Sequence, residues 1–100
     1  MQASYSNSFD REQGYTESEW RRCLPGAVRN HTLHWEGEHG ARVDIGTGHL
    51  LLQWQELPMR QIALMRMARL GVAYRFEQVA DEPRHAFMKY FDLFMQRGGG

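Results

Sequence analysis

The clearest pattern of apolar and polar residues in the chain is a helical one near its end, over residues 81–97. A polar stripe recurs there at offsets of four, three and four, formed by His85, Lys89, Asp92 and Gln96. Aromatic residues lie on the opposite side, namely Phe87, Tyr90, Phe91 and Phe94. Pro83 suits the first turn of a helix, and Gly98 suits its end. We therefore expect an amphipathic C-terminal helix that packs its aromatic side against the rest of the domain.

A second, shorter helix is predicted over residues 17–23. Thr16 followed by Glu19 has the spacing of a capping box, and Tyr15 and Trp20 occupy the positions of a hydrophobic staple. Trp20, Cys23 and Leu24 would form its apolar side. We expect the helix to end at Pro25-Gly26, because neither residue favours a helix interior.

The first residues of the chain carry no comparable pattern. Residues 1–13 are mostly polar and match neither helical nor alternating spacing. We expect this segment to be disordered or loosely draped, and residues 14–98 to form a single domain.

From His31 onward, apolar residues alternate with polar ones, which is typical of strands. Leu33 and Trp35 predict a first strand, and pairing Leu33 with Val43 gives a hairpin. A turn at 46–48 would lead into a third strand. Its apolar residues Leu50, Leu52 and Trp54 are expected to align with Ile45, Val43 and Ala41.

We expect a further reversal at Leu57-Pro58-Met59, which would set Glu56 opposite Arg60 and Leu52 opposite Leu64. Residues 59–69 after it can be read as helix or strand. Strand is favoured because Ile62, Leu64, Ala68 and Leu70 keep the parity of the clear strand that follows, with Val72, Tyr74 and Phe76. This stretch would be one long bent strand, or two strands with a break near residues 67–69.

These elements predict an α+β fold: an antiparallel meander of four to five strands, with the C-terminal amphipathic helix packed on one face and a short N-terminal helix. The second face of the sheet would carry Met65 and Met67 beside Arg69 and Arg75. That is less polar than a solvated face should be. Either the N-terminal helix or first residues cover it, or it contacts a protein partner or a second copy of the chain.

Composition narrows the function classes. Twelve basic and twelve acidic residues cancel, so no overall field would attract nucleic acid or an anionic membrane. Charge is segregated locally, because residues 57–76 carry four arginines and no acid, whereas residues 31–56 carry four acids and one arginine. A single cysteine excludes an intrachain disulfide, and no signal-peptide pattern or long apolar run occurs. We expect a cytoplasmic protein that does not enter a membrane.

The chain contains histidine and cysteine residues, but not at the spacings typical of metal-binding or catalytic sites. His31, His34 and His39 lie close in sequence, but no zinc-ligand spacing occurs, so we expect no metal and no cofactor. Cys23 is expected to be a buried structural thiol, and Gly46-Thr47-Gly48 a hairpin turn rather than a phosphate loop.

Two functional hypotheses remain. The first is a non-enzymatic protein-interaction or ligand-binding module, either monomeric or homodimeric, that uses Met65, Met67, Arg69 and Arg75. The second is a small enzyme or small-molecule binder with a pocket between the C-terminal helix and the sheet. That pocket would be lined by Trp35, Trp54, Tyr74 and Phe91, with Arg66 as an inward charge that needs a partner such as Asp44 or Glu56.

Overall fold

The computed structural model describes residues 5–98, and they form a five-stranded sheet with two helices. The elements in chain order are β1 (Ser8–Gln13), α1 (Glu17–Ala27), β2 (Leu33–Trp35), β3 (Gly40–Ile45), β4 (Gly48–Ile62), β5 (Met65–Glu77) and α2 (Asp81–Gly98). All neighbouring strands are antiparallel, in the order β1-β5-β4-β3-β2. The predicted α+β class is confirmed.

The core lies between the sheet and the helices. Alternate residues of the two central strands face the helices and are buried, namely Leu50, Leu52, Trp54, Leu70, Val72, Tyr74 and Phe76. From α2 they meet Phe87, Met88, Phe91 and Met95. The rings of Tyr74 and Phe91 pack edge to face with centroids 5.9 Å apart. The predicted packing of the C-terminal helix on the sheet is therefore confirmed.

Helix α1 packs on the same side of the sheet as α2. The predicted capping box is present, because Glu19 N–H donates to the Thr16 hydroxyl and Thr16 N–H donates to the Glu19 carboxylate. Trp20 is fully buried, with its ring 6.0 Å from Phe91 and 5.9 Å from Trp54. The hypothesis that this helix covers the second face of the sheet is thus wrong.

Helix α1 also runs past Pro25-Gly26 to Ala27, so its predicted end is wrong. Proline removes one donor, but Val28 N–H still donates to the Leu24 carbonyl at 3.0 Å. A side chain at Gly26 would overlap the Phe94 ring of α2. The close approach of the two helices therefore uses a glycine that sequence alone marks as a helix end.

The N-terminal segment is more ordered than the sequence predicted, because residues 8–13 form the edge strand β1 rather than a loose segment. Phe9 stacks on Tyr74 with centroids 4.7 Å apart. Arg11 donates to both carboxylate oxygens of Asp92 in α2, at 2.6 and 3.1 Å. One exposed salt bridge contributes little, but this one is half-buried among aromatic rings. Residues 1–4 lie outside the described residues.

The first hairpin has the predicted pair, Leu33 opposite Val43. The next register is shifted by two residues, because Leu50 lies opposite Val43 and Leu52 opposite Ala41. Gly48 pairs with Ile45, so the turn contains two residues rather than three. A shift of two leaves every side chain on the predicted face.

The predicted reversal at Leu57-Pro58-Met59 does not occur. β4 continues to Ile62, and the chain turns at residues 63–64, where Ala63 adopts a φ of +55°. A bulge between Leu57 and Arg60 accommodates Pro58, which has no N–H for the ladder. Glu56 consequently lies opposite Leu70, and Leu52 opposite Tyr74. The strand interpretation of residues 59–69 is correct, and the helix interpretation is wrong. The break between the two strands lies at residues 63–64, not near 67–69.

Candidate functional site

The β4–β5 hairpin extends beyond its neighbouring strands. Pairing with β3 stops at Gln53, and pairing with β1 stops at Leu70. We call the projecting residues 57–69 the arm. Six strand residues span about 20 Å at the usual rise, and the described part of the molecule is 46 Å long. The rings of helix α2 pack on Tyr74 and Phe76, nearer the centre of the sheet. Glu12 of β1 contacts the base of the arm, and residues 58–67 are exposed.

The arm exposes apolar side chains. Five of the seven large apolar side chains exposed in the described part of the chain belong to it: Met59, Ile62, Leu64, Met65 and Met67. Met65 is 65% exposed and Leu64 is 99% exposed. Isolated exposed apolar residues are ordinary, whereas these five belong to one projecting element.

Strand pairing assigns these side chains to two faces. Ile62 pairs with Met65, Arg60 with Met67, and Leu57 with Arg69. Paired residues lie on the same face, and β5 alternates without interruption to Arg75. The four predicted interface residues Met65, Met67, Arg69 and Arg75 therefore share one face of the sheet. It is the face opposite the helices, and none of the described elements covers it; we call it the open face.

Arg69 fixes the base of the arm. It donates to both carboxylate oxygens of Glu12 in β1, at 3.1 and 2.8 Å, and to the Pro58 carbonyl at 3.1 Å. Arg60 approaches the same Glu12 carboxylate at 3.5 Å. The hydrogen bond from Arg69 lowers the pKa of Glu12 below its ordinary value. Arg69 therefore supports the bulge, and the methionines are left as the accessible part of the surface.

A groove lies on the open face beside the base of the arm. Its volume is about 590 Å³. The floor consists of the small residues Gly71 and Ala73 on β5 and of Gln53 and Gln55 on β4. The walls are Asp10 of β1 and the β2–β3 loop, residues 36–39, with Gly40 at the start of β3. A smaller and more enclosed depression of about 300 Å³ extends it toward Arg75. The rim is acidic, because Asp10, Glu36 and Glu38 all border the groove.

The β2–β3 loop is tied to helix α1. Glu17 accepts hydrogen bonds from the His39 ring and, at 2.7 Å, from the Trp54 indole N–H. The His39 hydrogen bond lowers the pKa of Glu17. Arg21 donates to the Glu38 carbonyl at 2.9 Å and stacks over Trp35, 4.4 Å from the ring centroid. These contacts fix one wall of the groove.

Three of the five residues predicted to line a pocket pack together in the core, and two lie apart from them. Trp54, Tyr74 and Phe91 are buried, with Tyr74 against Phe91 and with Trp20 between Trp54 and Phe91. Trp35 lies at the surface, 42% exposed. Arg66 has the parity of the helix-facing side, but it sits on the arm beyond the helices and is exposed. It makes no ion pair with any described residue, whereas Asp44 bonds to His34 at 2.9 Å.

Histidines near the sheet edge form separate pairs. His34 pairs with Asp44 and His49 with Glu77, both at 2.9 Å, while His39 pairs with Glu17. The His34 hydrogen bond lowers the pKa of Asp44. Within residues 5–98, no three histidine, cysteine, aspartate or glutamate side chains are grouped to hold a metal ion.

Sequence reasoning missed the groove acids and part of the arm. Leu64 was expected opposite Leu52 but lies at the arm's tip, and Asp10 belongs to a segment predicted to be loose. The excess of acid over residues 31–56 was a usable signal for the rim. No family model, curated protein or solved structure matches this chain. Neither described helix has the length and apolar composition to cross a membrane.

Proposed function

We propose that this protein is a non-enzymatic protein-interaction module and that the open face of the arm is its contact surface. The observation that supports this most directly is the group of exposed apolar side chains on a two-stranded projection. Burying one such side chain fully is worth about 1.5–3 kcal/mol. Two strands with no packed face are at best marginally stable alone. A partner that covers the arm would stabilise it and remove apolar area from water.

A protein fits this surface better than a nucleic acid does. The open face of the arm presents Ile62, Met65 and Met67, and methionine side chains adapt to the shape of a partner. Arg60 and Arg69 are already near Glu12. The chain as a whole carries no net charge. A single cysteine supports a cytoplasmic location, which is part of this proposal.

The experiment is to replace Met65 and Met67 together by serine. We expect binding to weaken about tenfold or more, because each methionine loses on the order of 1 kcal/mol of apolar burial. Complexes are measured by cross-linking in an extract of the source cells and by sedimentation of the purified chain. Circular dichroism confirms that the variant folds.

Leu93→Ser is the matched control, because Leu93 is 47% exposed but lies on α2 away from the arm. Its complexes should match those of the unchanged chain. If the double variant, correctly folded, keeps every complex that the unchanged chain forms, the arm is not the contact surface and the proposal fails.

A further inference from the structure

The open face of this chain carries the projecting arm, which bears apolar and basic side chains. Beside the arm lies the groove, whose rim is acidic. We infer that the arm's partner is a second copy of the chain, with the arm of each copy lying in the groove of the other. This inference rests on the proposed function, because it assigns an occupant to the same surface.

The shapes of the two features are complementary. The groove floor contains Gly71 and Ala73 on β5 and long, flexible Gln53 and Gln55 on β4. The arm is a ridge two strands wide, with Ile62 and Met65 at its far end. A two-fold axis that crosses the strands between the arm and the groove, near the Leu57–Arg69 pair, would stack the two open faces with strand directions reversed. Each arm then lies on the other copy's groove.

The charges of the two features are also complementary. On its open face the arm carries Arg60 and Arg69 and no acid, whereas the groove rim carries Asp10, Glu36 and Glu38. Arg69 is bonded to Glu12, so Arg60, whose side chain is 55% exposed, is the charge that can reach a partner. The Glu38 side chain is 92% exposed, so it is accessible to a partner. A basic arm in an acidic groove brings opposite charges together. Two arms laid against each other would instead bring the two copies of Arg60 together.

The contact area is sufficient for a dimer. An arm face two strands wide offers on the order of 300 Å², and the groove matches it. In a symmetric dimer each copy buries one arm face and one groove, so four surface patches are buried in all. Together they reach about 1,200 Å², the lower end for a specific interface. We therefore expect a dimer that dissociates in the micromolar range.

A membrane surface fits the same features less well. The acidic groove adjoins the arm on the open face, and it would be repelled by anionic lipid. Vesicle binding is thus an alternative outcome of the experiment. Purified chain is incubated with vesicles of phosphatidylcholine and phosphatidylserine, and arm-dependent binding to them by a monomeric chain would overturn the second-copy inference.

The decisive experiment exchanges charges between arm and groove. Arg60→Glu reverses a charge on the arm, and the double variant Glu36→Arg/Glu38→Arg reverses two charges on the groove rim. Each variant alone should dimerise about tenfold or more weakly, because the two-fold axis applies every change twice. A mixture of the two variants should recover dimerisation, since both arm-groove contacts in the mixed dimer pair opposite charges. Sedimentation velocity with one chain labelled measures the mixed species.

Arg66→Glu is the control for the arm. It makes the same charge change, but Arg66 lies on the opposite face from Arg60, so the effect should be less than about threefold. Contact between the two arms would give a different result. Dimerisation would then recover when Arg60→Glu is mixed with the unchanged chain, and the groove variant would dimerise normally. That pair of results would overturn the inference.

The two proposals fail differently. In the first case the unchanged chain is monomeric at 100 µM or above, about ten times the expected dissociation constant, but a cross-linked partner is lost when Met65 and Met67 become serine. The second-copy inference is then wrong, and the proposed function stands. If that substitution changes neither self-association nor any cross-linked complex, the proposed function is wrong as well.

Discussion

Gly48 illustrates how a single backbone position fixes the sheet. It begins β4 opposite Ile45, in a tight turn. A Cβ atom built on Gly48 would overlap the carbonyl oxygens of Glu77 and Gln78. Those are main-chain atoms at the end of β5, and they cannot rotate away as the end of a side chain can. The glycine thus allows the start of β4 to approach the end of β5.

Gly48→Ala should therefore destabilise the protein by about 1–3 kcal/mol, the usual cost of forcing extra volume into a packed site. Gly14→Ala is the matched control, because nothing lies within 4 Å of its Cβ position. That change should leave stability unchanged or raise it by up to about 1 kcal/mol. Urea unfolding followed by circular dichroism measures both. Equal stability of the two variants would contradict this account.

At the scale of elements, the features that depend only on neighbouring residues in the sequence were predicted correctly. The capping box at Thr16 and the aromatic side of residues 81–97 depend on neighbouring residues, and both were identified. β1 was missed because a strand with one large apolar residue, Phe9, has no periodic signal. Its stability comes from distant partners, Tyr74 and Asp92.

The arm shows where parity alone fails. Alternation correctly placed Met65, Met67, Arg69 and Arg75 on one face, because β5 has no bulge. β4 has a bulge at Pro58, so residues beyond it change face, and Ile62 lies on the open face although it was predicted to share a face with Leu70. Leu64, expected opposite Leu52, lies in the turn at the tip of the arm. Nothing in the sequence marks Ala63 as the turn, since its φ of +55° is unusual for alanine. The acidic rim of the groove combines Asp10 of β1 with Glu36 and Glu38 of the β2–β3 loop, and only the folded chain brings them together.

We predict that the arm is the least stable part of the sheet in the monomer. Hydrogen bonds of residues 59–67 join two strands with no helix over them, and such a hairpin is marginal alone. In hydrogen exchange at nanomolar dilution, amides 59–67 should exchange faster than amides 70–76, which serve as the internal reference. At concentrations that favour association, exchange in the arm should slow. Equal protection of both segments in the dilute sample would contradict this view.

For the whole molecule, shifted pKa values define the pH range of maximum stability. On the acid side, Glu12, Glu17, Glu19 and Asp44 all have pKa values below their ordinary values. Hydrogen bonds from Arg69, His39, Thr16 and His34 respectively are the main causes. A lowered pKa in the folded state means that the stabilisation is complete above the ordinary value, 4.5 for glutamate, and is lost as the pH falls below it.

On the alkaline side, burial raises the pKa of Tyr74 above its ordinary value of 10.0, and Tyr5 and Tyr15 shift in the same direction. A raised pKa means that the folded state holds its proton longer, so stability is complete below pH 10.0 and is lost as the pH rises further. We therefore expect a plateau between about pH 5 and pH 10, with a decline on each side.

Two variants test the two limits of that plateau by urea unfolding from pH 3 to pH 11. Glu12→Gln should lose stability less steeply than the unchanged chain below pH 4.5, because the carboxylate that acid would protonate is gone. Tyr74→Phe should lose about 1 kcal/mol at neutral pH, because its hydroxyl donates to Gln13 at 2.9 Å. Its decline above pH 10 should nevertheless be shallower, since the group that resists deprotonation is gone. The slopes therefore separate the proton effect from the lost hydrogen bond, and an unchanged alkaline slope in Tyr74→Phe would show that burial of this phenol does not set the upper limit.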